Sequence, residues 1–156
     1  MFAEILESAI LPSPPGVCTV TRARNIMATI DGKAAQSPLA INALFSFESP
    51  NAQGNTLNLG ETVILQDEIN PFISILRALN IQVTALHNHW LFEDPRLMYI
   101  HFFSIEDPLV FARKSALAFT LLENGDSENL PQKIAAVNLK KLTGHPSSSG
   151  NFVLLG

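Results

Sequence analysis

Three scarcities narrow the possibilities before any motif is considered. Cysteine is nearly absent: Cys18 is the only one in 156 residues, so no intrachain disulfide can form and a zinc site built on thiolates is ruled out. Charge is sparse, at 15% of residues against 47% hydrophobic ones, a balance too apolar for a chain that gains by staying disordered. Lys and Arg number ten against fourteen Asp and Glu, for a formal net charge of -4 and an isoelectric point near 5.5. Such a chain lacks the basic excess that releases counterions from a phosphate backbone, so nucleic acid is not an expected partner. The one close basic cluster, Lys133, Lys140 and Lys141, reads as the solvated face of a helix.

Long apolar runs are missing as well. No stretch reaches the roughly 18 apolar residues of a membrane span, so no membrane contact is expected. Met1 to Leu11 carries Glu4 and Glu7 within its apolar pattern and has no basic start, unlike a secretory signal. Cytoplasm is the expected compartment, although a chain whose signal had been removed would read the same way. Glycine-based phosphate loops are absent too: Gly54, Gly60 and Gly125 are isolated, and no Gly-Lys-Ser/Thr follows them. No Gly-x-Ser-x-Gly elbow marks a serine hydrolase.

What remains is a pattern for a single α/β (α+β) domain over residues 1–156, with its core at about 16–123. Phe2, Ile5, Leu6, Ala9 and Ile10 recur at helical spacing and predict a short helix ended by Pro12, Pro14 and Pro15. Val17 to Ile30 predicts two short strands or one bent one, with a turn at Asp31-Gly32. Ala43 to Glu48 alternates as a half-buried strand, Ser49 to Asn58 reads as a loop, and Thr62 to Leu65 as a short buried strand. Pro71 at a first-turn position opens a helix to about Leu79, stopped by Asn80. Ile81–Trp90 and Leu97–Phe103 read as a hairpin around Glu93-Asp94-Pro95, in a mixed or antiparallel sheet. The helix joining Thr62–Leu65 to Ile81–Trp90 permits a right-handed crossover and a parallel pair there. Asp107-Pro108 opens a largely buried helix to about Leu122, polar chiefly at Arg113, Lys114 and Ser115. Residues 130–156 supply a further helix, Pro131 to Leu142, and a possible edge strand at Val153–Leu155.

The chemistry concentrates in the hairpin, which holds His87, His89 and His101. Residues two apart on a strand point to one side, so His87 and His89 can converge. A turn centred on Asp94 would set His101 opposite His87 and Tyr99 opposite His89. Neutral imidazoles so placed suit Zn²⁺, or another divalent transition metal, with a position left for water or a carboxylate. Glu93 and Glu68 are the candidate oxygen ligands or bases, with Glu93 the candidate catalytic base. Tyr99 and Arg96 are candidate ligand contacts. A bare His-x-His is a weak signal, and hydrogen-bonded core histidines are the competing explanation. Asp67, Glu68 and Glu61 are read as helix-start or solvent carboxylates, and Arg22 and Arg24 as salt-bridged more readily than as anion ligands.

The segments Gly60-Glu61-Thr62-Val63-Ile64-Leu65, Glu68-Ile69-Asn70-Pro71, Ala85-Leu86-His87-Asn88-His89 and Pro95-Arg96-x-x-Tyr99-x-His101 resemble those of the LppY/LpqO-like bacterial family, over about Gly16 to Glu123. The resemblance implies no assigned activity. Longer members resemble two such units in tandem, and Leu139 to Leu155 echoes the layout of Leu6 to Val20, so a single-unit chain is expected to pair as a homodimer, with residues 130–156 packing on the second copy. The chain departs from the family pattern in its Pro-rich opening loop and at Ser104-Ile105-Glu106, where a glycine-rich turn is expected. Three functions fit: a small-molecule or metal-binding module with a His-lined pocket, a metal-dependent hydrolase in which Glu93 assists a bound water, and an interaction domain with structural histidines.

Overall fold

A computed structural model describes residues 1–124. In chain order these form α1 (Phe2–Ile5), β1 (Ala9–Leu11), β2 (Cys18–Ala23), β3 (Thr29–Ile30), β4 (Lys33–Ala34), α2 (Pro38–Ile41), β5 (Asn42–Glu48), β6 (Thr56–Leu65), α3 (Ile69–Ala78), β7 (Gln82–His87), β8 (Glu93–Asp94), β9 (Leu97–Glu106) and α4 (Pro108–Asn124). Six strands pair in the order β1-β2-β5-β6-β9-β7, and three in the order β4-β3-β8. All neighbours are antiparallel. The expected α+β class is therefore what the chain adopts. The predicted parallel pair is corrected: β6 and β7 do run the same way, but β9 lies between them and is antiparallel to both.

Alternation decides which face of the large sheet is buried. Val20, Ala43, Phe45, Ile64, Ile100 and Phe102 point to one face and meet Phe72, Ile75 and Leu76 of α3 and Phe111, Ala118 and Phe119 of α4. Edge-to-face contacts tie Phe45 to Phe119 and Phe72 to Phe102, with ring centroids 5.2 and 5.8 Å apart, a geometry favoured by the ring quadrupoles. Gly60 is required here. A Cβ at that position would lie 2.2 Å from the Phe102 ring, which occupies the space a side chain would need.

Local signals act as expected at several ends. Asn80 stops α3 at φ +59°, and Ile81 N–H reaches back to Leu76 O at 2.9 Å, the return bond of a left-handed helix stop. Asp107 caps α4 through Oδ1, which accepts from the Leu109 and Val110 amides at 2.9 and 3.0 Å. Asp31 and Gly32 both take positive φ in the turn between β3 and β4, as a tight hairpin demands.

Elsewhere the fold differs from expectation. The first helix ends at Ile5 and Ala9–Leu11 is an edge strand, paired with β2. β6 begins at Thr56, inside the stretch read as a loop, because the buried Thr56 and Asn58 satisfy each other and Glu106 O by hydrogen bonds. Ser104 to Glu106 form no turn; they extend β9 alongside Thr56 to Asn58. Lys114 and Ser115 on α4 are buried, Lys114 in an ion pair with Glu106. The helix expected at Pro131–Leu142, the strand at Val153–Leu155 and the terminal echo lie outside the described residues.

Candidate functional site

The second face of the large sheet carries the site. Half of that face is covered: Val63, Leu97 and Tyr99 pack with Ala28, Ile26 and Trp90, brought over the sheet by the segment that bears β3, β4 and β8. The histidines sit where this cover ends. β7 pairs with β9 so that His87 faces Tyr99 and Ala85 faces His101. The register thus differs by two residues from a turn centred on Asp94, because Glu93 and Asp94 leave the hairpin to pair with β3. A slip of two preserves the face, whereas a slip of one would have reversed it. Ala85, small and directly across from His101, leaves that ring room to lean along the strand to His87, a diagonal contact within reach of long side chains.

The rings form a stack. His87 lies over His89 and over His101, each with centroids 4.9 Å apart, and His89 lies nearly parallel to Tyr99 at 3.7 Å. Tyr99 is 2% exposed, and its hydroxyl donates to Ala40 O at 2.8 Å. Burial pushes its phenol pKa up. His89 is held below the ordinary histidine range, first by burial and then by His87, which favours the neutral, metal-competent form.

Two of the three rings have an oxygen beside Nδ1. His101 Nδ1 is 3.3 Å from a carboxylate oxygen of Glu61, and His87 Nδ1 is 3.4 Å from Asn88 O. Both oxygens can only accept, and which ring nitrogen carries the proton depends on the tautomer. Those two Nε2 atoms are 2.9 Å apart. That separation suits an N–H···N hydrogen bond when one ring carries its proton on Nε2, and a pair of donors to one cation when both carry it on Nδ1. One nitrogen from each of His87, His89 and His101 falls within 4.8 Å of the others.

The remaining sequence candidates are placed elsewhere. Glu68 accepts two hydrogen bonds from Arg24, both at 2.8 Å, and one from the Leu65 amide; Arg24 also donates to Val63 O and Leu122 O. That pair locks the start of α3 to the sheet and to α4. The Glu93 side chain is 2% exposed and forms an ion pair with Arg96 Nε at 3.2 Å, without an aligned hydrogen bond. Arg22 stacks over Phe119 and donates to Leu6 O. The carboxylate that touches the histidines is instead Glu61, which sequence reasoning assigned to a helix start or solvent. Its signal was available in the alternation of Leu59, Glu61 and Val63, but the pairing of Glu61 with His101 is a tertiary fact.

Among the described residues no helix is long and apolar enough to cross a membrane. No curated protein and no solved structure matches the sequence. Residues 1–121 match the model of one protein family, a span that contains both sheets and every residue of the histidine stack. The protein belongs to the family described as Domain of Unknown Function (DUF1259).

Proposed function

We propose that this protein is a metal-binding module in which His87, His89 and His101 hold one divalent transition-metal ion, leaving positions open for a small-molecule ligand. The carrying observation is the convergence of three imidazoles, with one nitrogen of each within 4.8 Å of the others and the Nε2 atoms of His87 and His101 2.9 Å apart. Glu61 on His101 is the carboxylate–histidine arrangement that orients and strengthens an imidazole ligand.

The donor set fits such an ion. With bonds of about 2.0–2.1 Å, donors 2.9 Å apart subtend about 90°, a cis pair of a six-coordinate ion; tetrahedral Zn²⁺ needs them opened to about 3.3 Å. Two donors on one ion are at most about 4.2 Å apart, so a third nitrogen within 4.8 Å has about half an ångström to close. His89 lies beyond the end of β7, where the backbone can supply that shift. The same stretch that carries the resemblance to the LppY/LpqO-like family supplies all three imidazoles, which supports placing the chain in that group.

Binding without turnover is better supported than hydrolysis. A hydrolase needs a carboxylate free to take a proton from bound water, whereas Glu61 is engaged by His101 and Glu93 by Arg96. The exposure of His87 and His89 also argues against purely structural histidines. Calorimetric titration of tag-free protein with Zn²⁺ and Ni²⁺ tests the reading. One site per chain, lost in His87→Ala and His101→Ala proteins that still fold, is the expected result. Unchanged heats in those variants would overturn it.

A further inference from the structure

Next to the histidines no other described residue covers the same sheet face, which forms a groove of about 370 Å³, within the size range of small-molecule sites. Leu44 on β5, Leu59 on β6 and Phe103 on β9 line it, with Thr19 and Ser46 at one side. Leu59 is 41% exposed and the neighbouring Ile105 66%. Glu61 and His101 also line it, an ion pair through which the groove adjoins the histidine cluster. A ligand in the groove would therefore lie against His101, one of the three imidazoles that would hold the ion.

Resting on the metal reading, we propose that this groove holds the apolar body of an amphipathic ligand whose polar head, a carboxylate or hydroxamate oxygen, completes the coordination of the ion. The chemistry of the lining selects this class. The floor is aliphatic and aromatic, so it recognises a hydrocarbon or aryl body by removing it from water. Among the described residues no Lys or Arg lines the groove, and Glu61 places a negative charge at its edge, so among these residues an anionic head would find its partner in the metal. A head group alone gains nothing from the apolar floor, and an apolar body alone gains nothing from the ion. Affinity should accordingly depend on both.

Octanohydroxamic acid and acetohydroxamic acid, titrated calorimetrically into Zn²⁺-loaded and metal-free protein, separate these contributions. The longer probe should bind the loaded protein at least 10-fold more tightly than the shorter one, and the metal-free protein should bind neither measurably. Leu59→Gln, a change at a part-exposed position, should reduce the chain-length advantage at least 3-fold while Zn²⁺ affinity, read separately from the fluorescence of Trp90, stays within 2-fold. Zn²⁺ binding with equal affinities for the two probes would overturn the groove and leave the metal reading standing; no Zn²⁺ binding at all would overturn both. A dimer in light scattering that Leu59→Gln converts to monomer would also overturn the proposal, because a second copy of the chain would then occupy the face.

Discussion

Replacing Glu61 by glutamine isolates the one carboxylate among the described residues that pairs with the histidine stack. The amide can still accept a hydrogen bond from His101 Nδ1, but the negative charge that makes His101 a stronger ligand is gone. Outer-shell substitutions of this kind typically cost 10- to 100-fold in metal affinity, equivalent to about 1.4–2.7 kcal/mol. Glu61 and His101 have side chains 36% and 30% exposed, so water and salt screen the charge and the loss should fall near the lower end, about 10-fold. Glu61 points to the open face of β6, away from the helix-packed core, and the metal-free protein should melt within about 2 °C of the unsubstituted chain. Competition against a chelating indicator gives the affinity, and circular dichroism the melting curve. A Zn²⁺ affinity within 2-fold of the original would refute the argument that Glu61 tunes His101. So would a loss as large as that of His101→Ala, which removes a ligand outright and should cost more.

Three further outcomes follow from the same geometry. Glu68→Ala strands the Arg24 guanidinium, 9% exposed, without its counter-charge, and should destabilise the fold by about 3–5 kcal/mol in urea titrations while leaving metal affinity of the folded protein unchanged; a loss below about 1 kcal/mol would contradict a buried lock. Because the pKa of His89 is lowered in the fold, the unfolded chain takes up its proton first as pH falls below 6.5, so metal-free stability should decline from there downward. His89→Ala should flatten that slope, and an unchanged slope would count against it; Zn²⁺ affinity should weaken over the same range as protons compete for the imidazoles. Tyr99 is the only tyrosine, and its raised pKa makes stability fully present below 10 and lost as pH rises through the elevated value. Ultraviolet titration of the folded protein should place tyrosinate formation above 10, and a midpoint at or below that value would show the phenol to be solvated.

How far the sequence carried the reading depends on the range of the interactions involved. Asn80 ends a helix, Asp107 caps one and Asp31-Gly32 turns a hairpin through bonds that span a few residues, so the residue types alone announce them. The shared face of His87 and His101 was legible for a similar reason, since side chains alternate along a strand with a period of two. The expected strand to Trp90 instead ends at His87, and His89 joins the stack through its ring contacts with His87 and Tyr99. The register between β7 and β9 was not legible, because it depends on where Glu93 and Asp94 go, and they pair with β3, more than sixty residues earlier in the chain. Thr56 and Asn58 look like loop residues until Glu106 O, some fifty residues away, is there to accept their hydrogen bonds. Glu61 and Glu68 are chemically near-identical in the sequence, separated by seven positions. Strand pairing sends Glu61 to His101, and the packing of α3 sends Glu68 to Arg24. The sequence by itself thus determined the residue types, the local stops and the face of His87 and His101; which carboxylate lies beside the histidines was decided by long-range pairing, which no local spacing encodes.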